Sequence, residues 1–269
     1  MGDIVRRKWM TMMDVHAGEV ERVYGGPVGL IWEMLAGEDA DTERDIEALA
    51  ARAGLIEGVR VLALLPGPGG PARRIAREYG ATVIGLAAIP RMVDLAVRRT
   101  EEAGLHGRVD FQQGNALEMP FQDGIFDAAW GEGTWCYVTD RDLMVREVFR
   151  VLKPGGTLAF TDWVQTGAMS DDEWHTQDTF RIFPYFETLE SYAQLVERNG
   201  FAVADRGTIP GDPARQVARI RERLEHGRDT VVGLFGDEAY EDALRGLDLW
   251  EKAVGRGLIG RGWLLARKP

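Results

Sequence analysis

Apolar residues along this chain follow two alternating rhythms. Short, nearly continuous apolar runs at Val59–Leu65 (VRVLALL), Ala81–Leu86 (ATVIGL), Val109–Gln112, Gly124–Trp130 (GIFDAAW) and Thr157–Trp163 (TLAFTDW) read as buried strands. Between them lie segments with apolar residues three and four apart. Pro71–Tyr79 is one, Pro90–Ala103 another, with Met92, Val93, Leu95, Ala96 and Val97 on its inner side. Asp140–Leu152 is a third, turning Leu143, Met144, Val148, Val151 and Leu152 inward before a Lys153–Gly156 turn. Strand and helix taken alternately predict an α/β fold, a parallel sheet with helices on both faces.

The flanks depart from that alternation. Residues 3–53 read as helical; Thr42-x-x-Asp45 resembles a capping box, and Ile46, Leu49, Ala50 and Ala53 recur at helical spacing behind it. Residues 164–186 interrupt the alternation with a second capping box, Ser170-x-x-Glu173, and a run of large residues. A helix at Glu187–Arg198, a strand beginning at Phe201–Asp205, helices at about Asp212–His226 and Asp237–Val254, and a final strand at Leu258–Arg267 complete the chain. The expected organisation is a helical lid over 1–53 and an α/β domain over 54–269, with helical insertions at about 164–186 and 210–255.

Composition narrows the function. The 269 residues are 45% hydrophobic, enough for a substantial core, and the net charge of -11 argues against nucleic acid as a partner. No apolar run reaches the length of a membrane span, and the N-terminus lacks a secretory apolar segment. The single cysteine, Cys136, has no partner within the chain, which points to a reducing, cytoplasmic setting. No HxxxH or CxxC spacing occurs, so no metal is expected. Homo-oligomerisation is left open.

The central stretch is VRVLALLPGPGG, Val59 to Gly70: a strand entering a glycine- and proline-rich turn that opens a helix. Such a corner faces phosphates or nucleotides in open α/β sheets. With GNALEMPFQDGIFDAAW (114–130) and REVFRVLKPGGTLAFTDW (146–163), it resembles the class I S-adenosylmethionine (SAM)-dependent methyltransferases, most closely the sarcosine and dimethylglycine methyltransferase-like branch. The resemblance implies a Rossmann-like sheet of seven strands, the last antiparallel, with the N-terminal helices and the 164–186 insertion as a lid. It assigns Gly67, Gly69, Gly70, Asn115 and Ala116 to the cofactor.

The cofactor positions depart from the family pattern. Ala63 stands where the family turn has an acidic residue, Leu65 where it has its first glycine, and Ala87 where an acidic residue holds the ribose hydroxyls. Asn115 replaces the acidic residue near the adenine. SAM binding is therefore open, and three readings follow. One is a small-molecule enzyme with an altered SAM site, running hydrolysis, elimination, cyclisation or isomerisation. The second is a working methyltransferase of a small N, O or C nucleophile, and the third a non-catalytic binding subunit. Glu132, Asp162 and His175 are the candidate catalytic residues: a carboxylate between two glycines, a carboxylate at a strand end, and the one histidine of the insertion. Trp135, Tyr137 and Trp163 are placed by position in the substrate pocket. Tyr24 joins them because it matches a tyrosine that family members bring near the cofactor sulfur.

Overall fold

The computed structural model describes residues 43–135, 138, 140–170, 187–209 and 213–269. Residues 1–42 of the lid expected over 1–53, and residues 171–186 of the insertion expected at about 164–186, lie outside the described residues, and with them Tyr24, Tyr137 and His175. Helix α1 (Glu43–Arg52) leads into β1 (Arg60–Leu64), α2 (Gly70–Tyr79), β2 (Thr82–Ala87), α3 (Pro90–Glu102), β3 (Val109–Gln113) and β4 (Phe126–Glu132). Then come α4 (Arg141–Val151), β5 (Leu152–Gln165), α5 (Leu189–Arg198), β6 (Ala202–Thr208), α6 (Pro213–His226), α7 (Arg228–Phe235), α8 (Asp237–Gly255) and β7 (Ile259–Arg267).

The seven strands form one sheet in the order β3-β2-β1-β4-β5-β7-β6. Its first five strands are mutually parallel, and β7 runs antiparallel to both β5 and β6. The order reverses beside β1, so β1 and β4 part company at their C-terminal ends and leave a crevice there. Alternation along the strands sorts the core into two layers. Leu62, Leu64, Leu158 and Phe160 meet Met144 and Val148 of α4 and Tyr192 and Val196 of α5. Val61, Ala63, Val83 and Ala159 meet Leu49 of α1 and Ile75 and Ala76 of α2 on the other face. A third apolar cluster belongs to the α6–α8 cap, where Val217, Leu224, Val231 and Leu247 close around Trp163 and Trp250.

Local signals explain the helix starts. Asp140 accepts a hydrogen bond from Leu143 N at 2.9 Å and Thr188 from Ser191 N at 3.0 Å, each satisfying a free amide of a first turn. Three boundaries differ from the sequence reading. The Lys153–Gly156 turn lies inside β5, because Lys268 at the chain end exchanges backbone bonds with Gly155 and Gly156 at 2.9 and 2.8 Å. Strand β5 also runs on past Trp163 to Gln165, which pairs with Ile259 of β7. The cap holds one more helix than expected, α7, set between Gly227 and Gly236 and buried through Val231.

Candidate active site

The turn after β1 keeps its glycine geometry. Gly67 and Gly69 have φ of 52° and 86°. A Cβ on Gly69 would lie 2.6 Å from the Phe111 ring and 2.8 Å from Arg73, so this glycine also serves packing. Buried Arg73 donates to Pro68 O at 2.9 Å and fixes the turn from behind. Gly70 opens α2.

Leu65 is held in the same way without being glycine. Its φ is 50°, and it is the only non-glycine residue with positive φ among the described residues. Its amide donates to Leu86 O at 3.0 Å, and its side chain packs on the cluster of Leu62, Leu64 and Leu86. A left-handed leucine costs about 1–2 kcal/mol, offset here by that packing. Ala63 and Ala87, 1% and 6% exposed, put methyl groups on the two flanking strand ends. Asn115 turns inward on its own loop, its Oδ1 accepting from Leu117 N at 2.9 Å, and neighbouring Ala116 is buried. The corner therefore offers backbone amides and methyl groups, and none of these positions supplies a carboxylate.

Polar chemistry lies one strand away. Glu132 is the last residue of β4, and its Oε1 accepts from Trp130 Nε1 at 2.6 Å and from Arg74 of α2. The ion pair is largely buried, with side-chain exposures of 6% and 13% for Glu132 and Arg74. Next to it, a Cβ on Gly133 would stand 3.0 Å from Arg261 Nη1, so the glycine makes room for that guanidinium. Arg261 Nη2 donates to Thr161 Oγ1 at 2.9 Å, and the guanidinium lies 5.2 Å over Trp163. Trp163 itself is buried edge-to-face against Trp250 at 4.5 Å, within the core of the cap.

Asp162 faces the opposite way. It was expected at the end of β5, but it lies inside the strand, three residues before Gln165. Glu132 pairs with Thr161, so Asp162 stands one step beyond the last paired residue of β4, at the level of the crevice. The side chain is fully buried. Tyr192 donates its hydroxyl to Asp162 Oδ2 at 2.5 Å and the Trp163 amide adds a weaker contact to the carboxyl, whereas Oδ1 has no well-formed hydrogen bond among the described residues. Burial pushes the carboxyl up from 3.8 to about 6, outweighing the Tyr192 hydrogen bond and the charges of Arg261 and Arg141.

Trp135 closes this side. Its indole stacks on Phe160 at 3.9 Å and 9° and meets Tyr192 edge-on at 6.1 Å. A Cβ on Gly131 would come within 2.5 Å of the indole nitrogen, so the ring lies directly over the glycine backbone. Among the described residues Trp135 Nε1 has no partner, and neither do Thr134 Oγ1 and Arg74 Nε, although all are buried. Buried polar atoms are nearly always satisfied within a fold or by a bound molecule. Three such atoms, on Thr134, Trp135 and Asp162, belong to residues at the exits of β4 and β5, and the fourth, on Arg74, lies across the sheet beside Glu132.

The structure thus brings Asp162 and Trp135 together and separates both from Glu132, which lies on the other face with Arg74. Sequence reasoning missed Tyr192 and Arg74; Tyr192 looked like an ordinary inward residue of an amphipathic helix. No group of three or more His, Cys, Asp or Glu suited to a metal ion occurs among the described residues, and no helix among them is long and apolar enough to cross a membrane.

A seven-stranded sheet with one antiparallel strand between two others, and a glycine corner at its crevice, defines an α/β scaffold built for a nucleotide-sized ligand. A family model described as a methyltransferase domain matches residues 62–160. The methyltransferase GfsG of Streptomyces halstedii is 35% identical over 59% of this chain and 58% of its own. The glycine/sarcosine/dimethylglycine N-methyltransferase of Actinopolyspora halophila is 28% identical over 84% of this chain and 40% of its own, so the chain spans about half the length of these relatives. Among solved structures, the [4+2]-cyclase SpnF superposes with a TM-score of 0.73 at 30% identity, over 84% of this chain and 80% of that one. The chain belongs to the class I SAM-dependent methyltransferase superfamily.

Proposed function

We propose that this chain is a small-molecule enzyme on a methyltransferase scaffold whose SAM corner is altered, and that it catalyses a reaction other than methyl transfer. The observation carrying this reading is Leu65, held at φ 50° in a conformation that suits glycine, between Ala63 and Ala87. The residues present do not fit the cofactor's polar anchors. A hydrogen bond to a charged acceptor contributes about 1.5–3 kcal/mol, so the missing carboxylate at Ala87 alone corresponds to about tenfold to a hundredfold in affinity. Ala63 and the leucine side chain add to that loss. Decay would not spare the glycines of the same turn, and retention of the scaffold with replacement of its ligand contacts supports a new use. The likeness to SpnF supports it further, since a protein of this fold bears the name of a cyclase.

In this reading Asp162 is the acid–base group. A carboxyl that titrates near neutrality can both give and take a proton under physiological conditions. Hydrolysis, elimination and proton-shift isomerisation all use that capacity, whereas a [4+2] cyclisation would draw on the carboxyl only to hold or polarise the substrate. Glu132, committed to Trp130 and Arg74, holds the end of β4 against α2.

A second reading, a working methyltransferase of a small nucleophile, is favoured by the surviving Gly67 and Gly69 turn and by the names of the relatives. Calorimetric titration of the purified chain with SAM and with S-adenosylhomocysteine separates the two. The altered-site reading expects no binding at millimolar ligand; micromolar binding of either compound overturns it.

A further inference from the structure

The buried carboxyl of Asp162 has two unlike oxygens. Oδ2 is taken by the Tyr192 hydroxyl at 2.5 Å; the Trp163 amide lends the carboxyl a weaker contact, and among the described residues Oδ1 has no well-formed hydrogen bond. On the same layer, Trp135 likewise buries an indole N–H that has no acceptor among the described residues. The two orphaned atoms share a floor. Phe160 lies beneath the Trp135 ring, and Asp162 follows Phe160 by two positions on the same face of β5, about 7 Å along the strand. Tyr192 bridges them, edge-on to both Phe160 at 5.2 Å and Trp135 at 6.1 Å. One donor and one acceptor without a well-formed hydrogen bond thus border a single aromatic surface at the level of the crevice.

We infer that Trp135 Nε1 and Asp162 Oδ1 together bind one hydroxyl of the substrate, carried on an apolar frame, the hydroxyl accepting from the indole N–H and donating to the carboxyl oxygen. This rests on the reading of Asp162 as the acid–base group of an altered-site enzyme. Charge complementarity selects a neutral group. An anion would meet the buried carboxyl, and a cation would meet the positive edge of the indole N–H. The frame is apolar because Trp135, Phe160 and Val164 belong to one apolar cluster. Tyr192 is a positioning residue in this arrangement: by holding Oδ2 it fixes Oδ1 as the oxygen that faces the ligand.

The test uses phenol, benzoate and benzylammonium, three probes of similar frame and different charge. The readout is the indole N–H resonance of Trp135 in the 15N-labelled full chain, assigned with Trp135→Phe. Phenol is expected to shift that resonance saturably and to bind at least about tenfold more tightly than either charged probe. Benzoate or benzylammonium binding as tightly as phenol, or phenol leaving that resonance in place, overturns the inference. Crystals of the unsubstituted chain soaked in phenol answer the same question without a variant. A phenol oxygen within hydrogen-bond distance of both atoms supports the clamp; phenol seated elsewhere, or a water retained on both atoms, overturns it. Titrating SAM into the same labelled sample keeps the two failures apart. SAM binding defeats the altered-site reading itself, whereas failure of phenol without SAM binding defeats only the clamp.

Discussion

Replacing Asp162 by asparagine keeps the shape of the side chain and removes a charge that the fold buries completely. The native carboxyl titrates at about 6 instead of 3.8 because burial disfavours its charged form. Those two units or so, at about 1.4 kcal/mol each, amount to about 3 kcal/mol. The sign follows from proton counting. Between about pH 4 and 6 the native state holds a proton that the unfolded chain has released, so stability falls as pH rises through that window. Below it both states are protonated and the penalty is absent; above about 6 it is complete. Asp142, Asp127 and Glu147, whose values are lowered by hydrogen-bonded partners, work in the opposite direction but are shared by wild type and variant. Urea unfolding of both proteins across pH 4 to 8 isolates Asp162 in the difference. Asp162→Asn is expected to gain about 3 kcal/mol on wild type between the two ends of that range. Parallel curves would refute the reasoning, because they would mean that the ionised carboxylate is solvated in the native protein.

Removing one partner of the Arg74–Glu132 pair strands a buried charge, so Arg74→Met is expected to cost about 3 kcal/mol, and pairing it with Glu132→Gln to recover much of that; a denaturation double-mutant cycle measures the coupling. Gly131→Ala drives a methyl to 2.5 Å from the Trp135 nitrogen and is expected to cost about 1–3 kcal/mol, with the loss read in thermal unfolding and the displaced indole in tryptophan fluorescence. Leu65→Gly with Ala87→Asp is expected to raise SAM affinity about tenfold or more over wild type in calorimetry, and an unchanged titration would show that other contacts bar the cofactor.

The strands that sequence reading located best are β1, β2, β4 and β5, whose apolar runs are long because the sheet buries them on both faces. What it placed less well depends on partners distant in the chain. Strand β5 outlasts Trp163 because β7 pairs with it as far as Ile259, and nothing in TLAFTDW announces that neighbour. Trp163 was assigned to the substrate pocket by its place at a strand end, yet its ring packs against Trp250 of α8, a contact set by the cap. Glu132 sits between two glycines as if free to turn inward, and the residue that claims it is Arg74, one turn inside α2. The residue types at Ala63, Leu65 and Ala87 were legible in the chain, whereas the left-handed backbone of Leu65 was not. The sharing of Asp162 between Tyr192 and an empty oxygen needed the sheet and α5 brought together.

Asp162 and Trp163 are neighbours on one strand and so serve opposite faces, the carboxyl against Tyr192 and the indole inside the helical cap. A slip of β5 by a single residue would exchange them, setting an indole where the carboxyl now titrates and a carboxyl in the apolar centre of the cap. The cap, encoded well downstream of β5 between Pro213 and Gly255, thereby acts as an index pin: by gripping Trp163 it fixes which residue of β5 faces the crevice. Changes around Trp250 should consequently register in the titration of Asp162 although the two lie on opposite sides of the sheet.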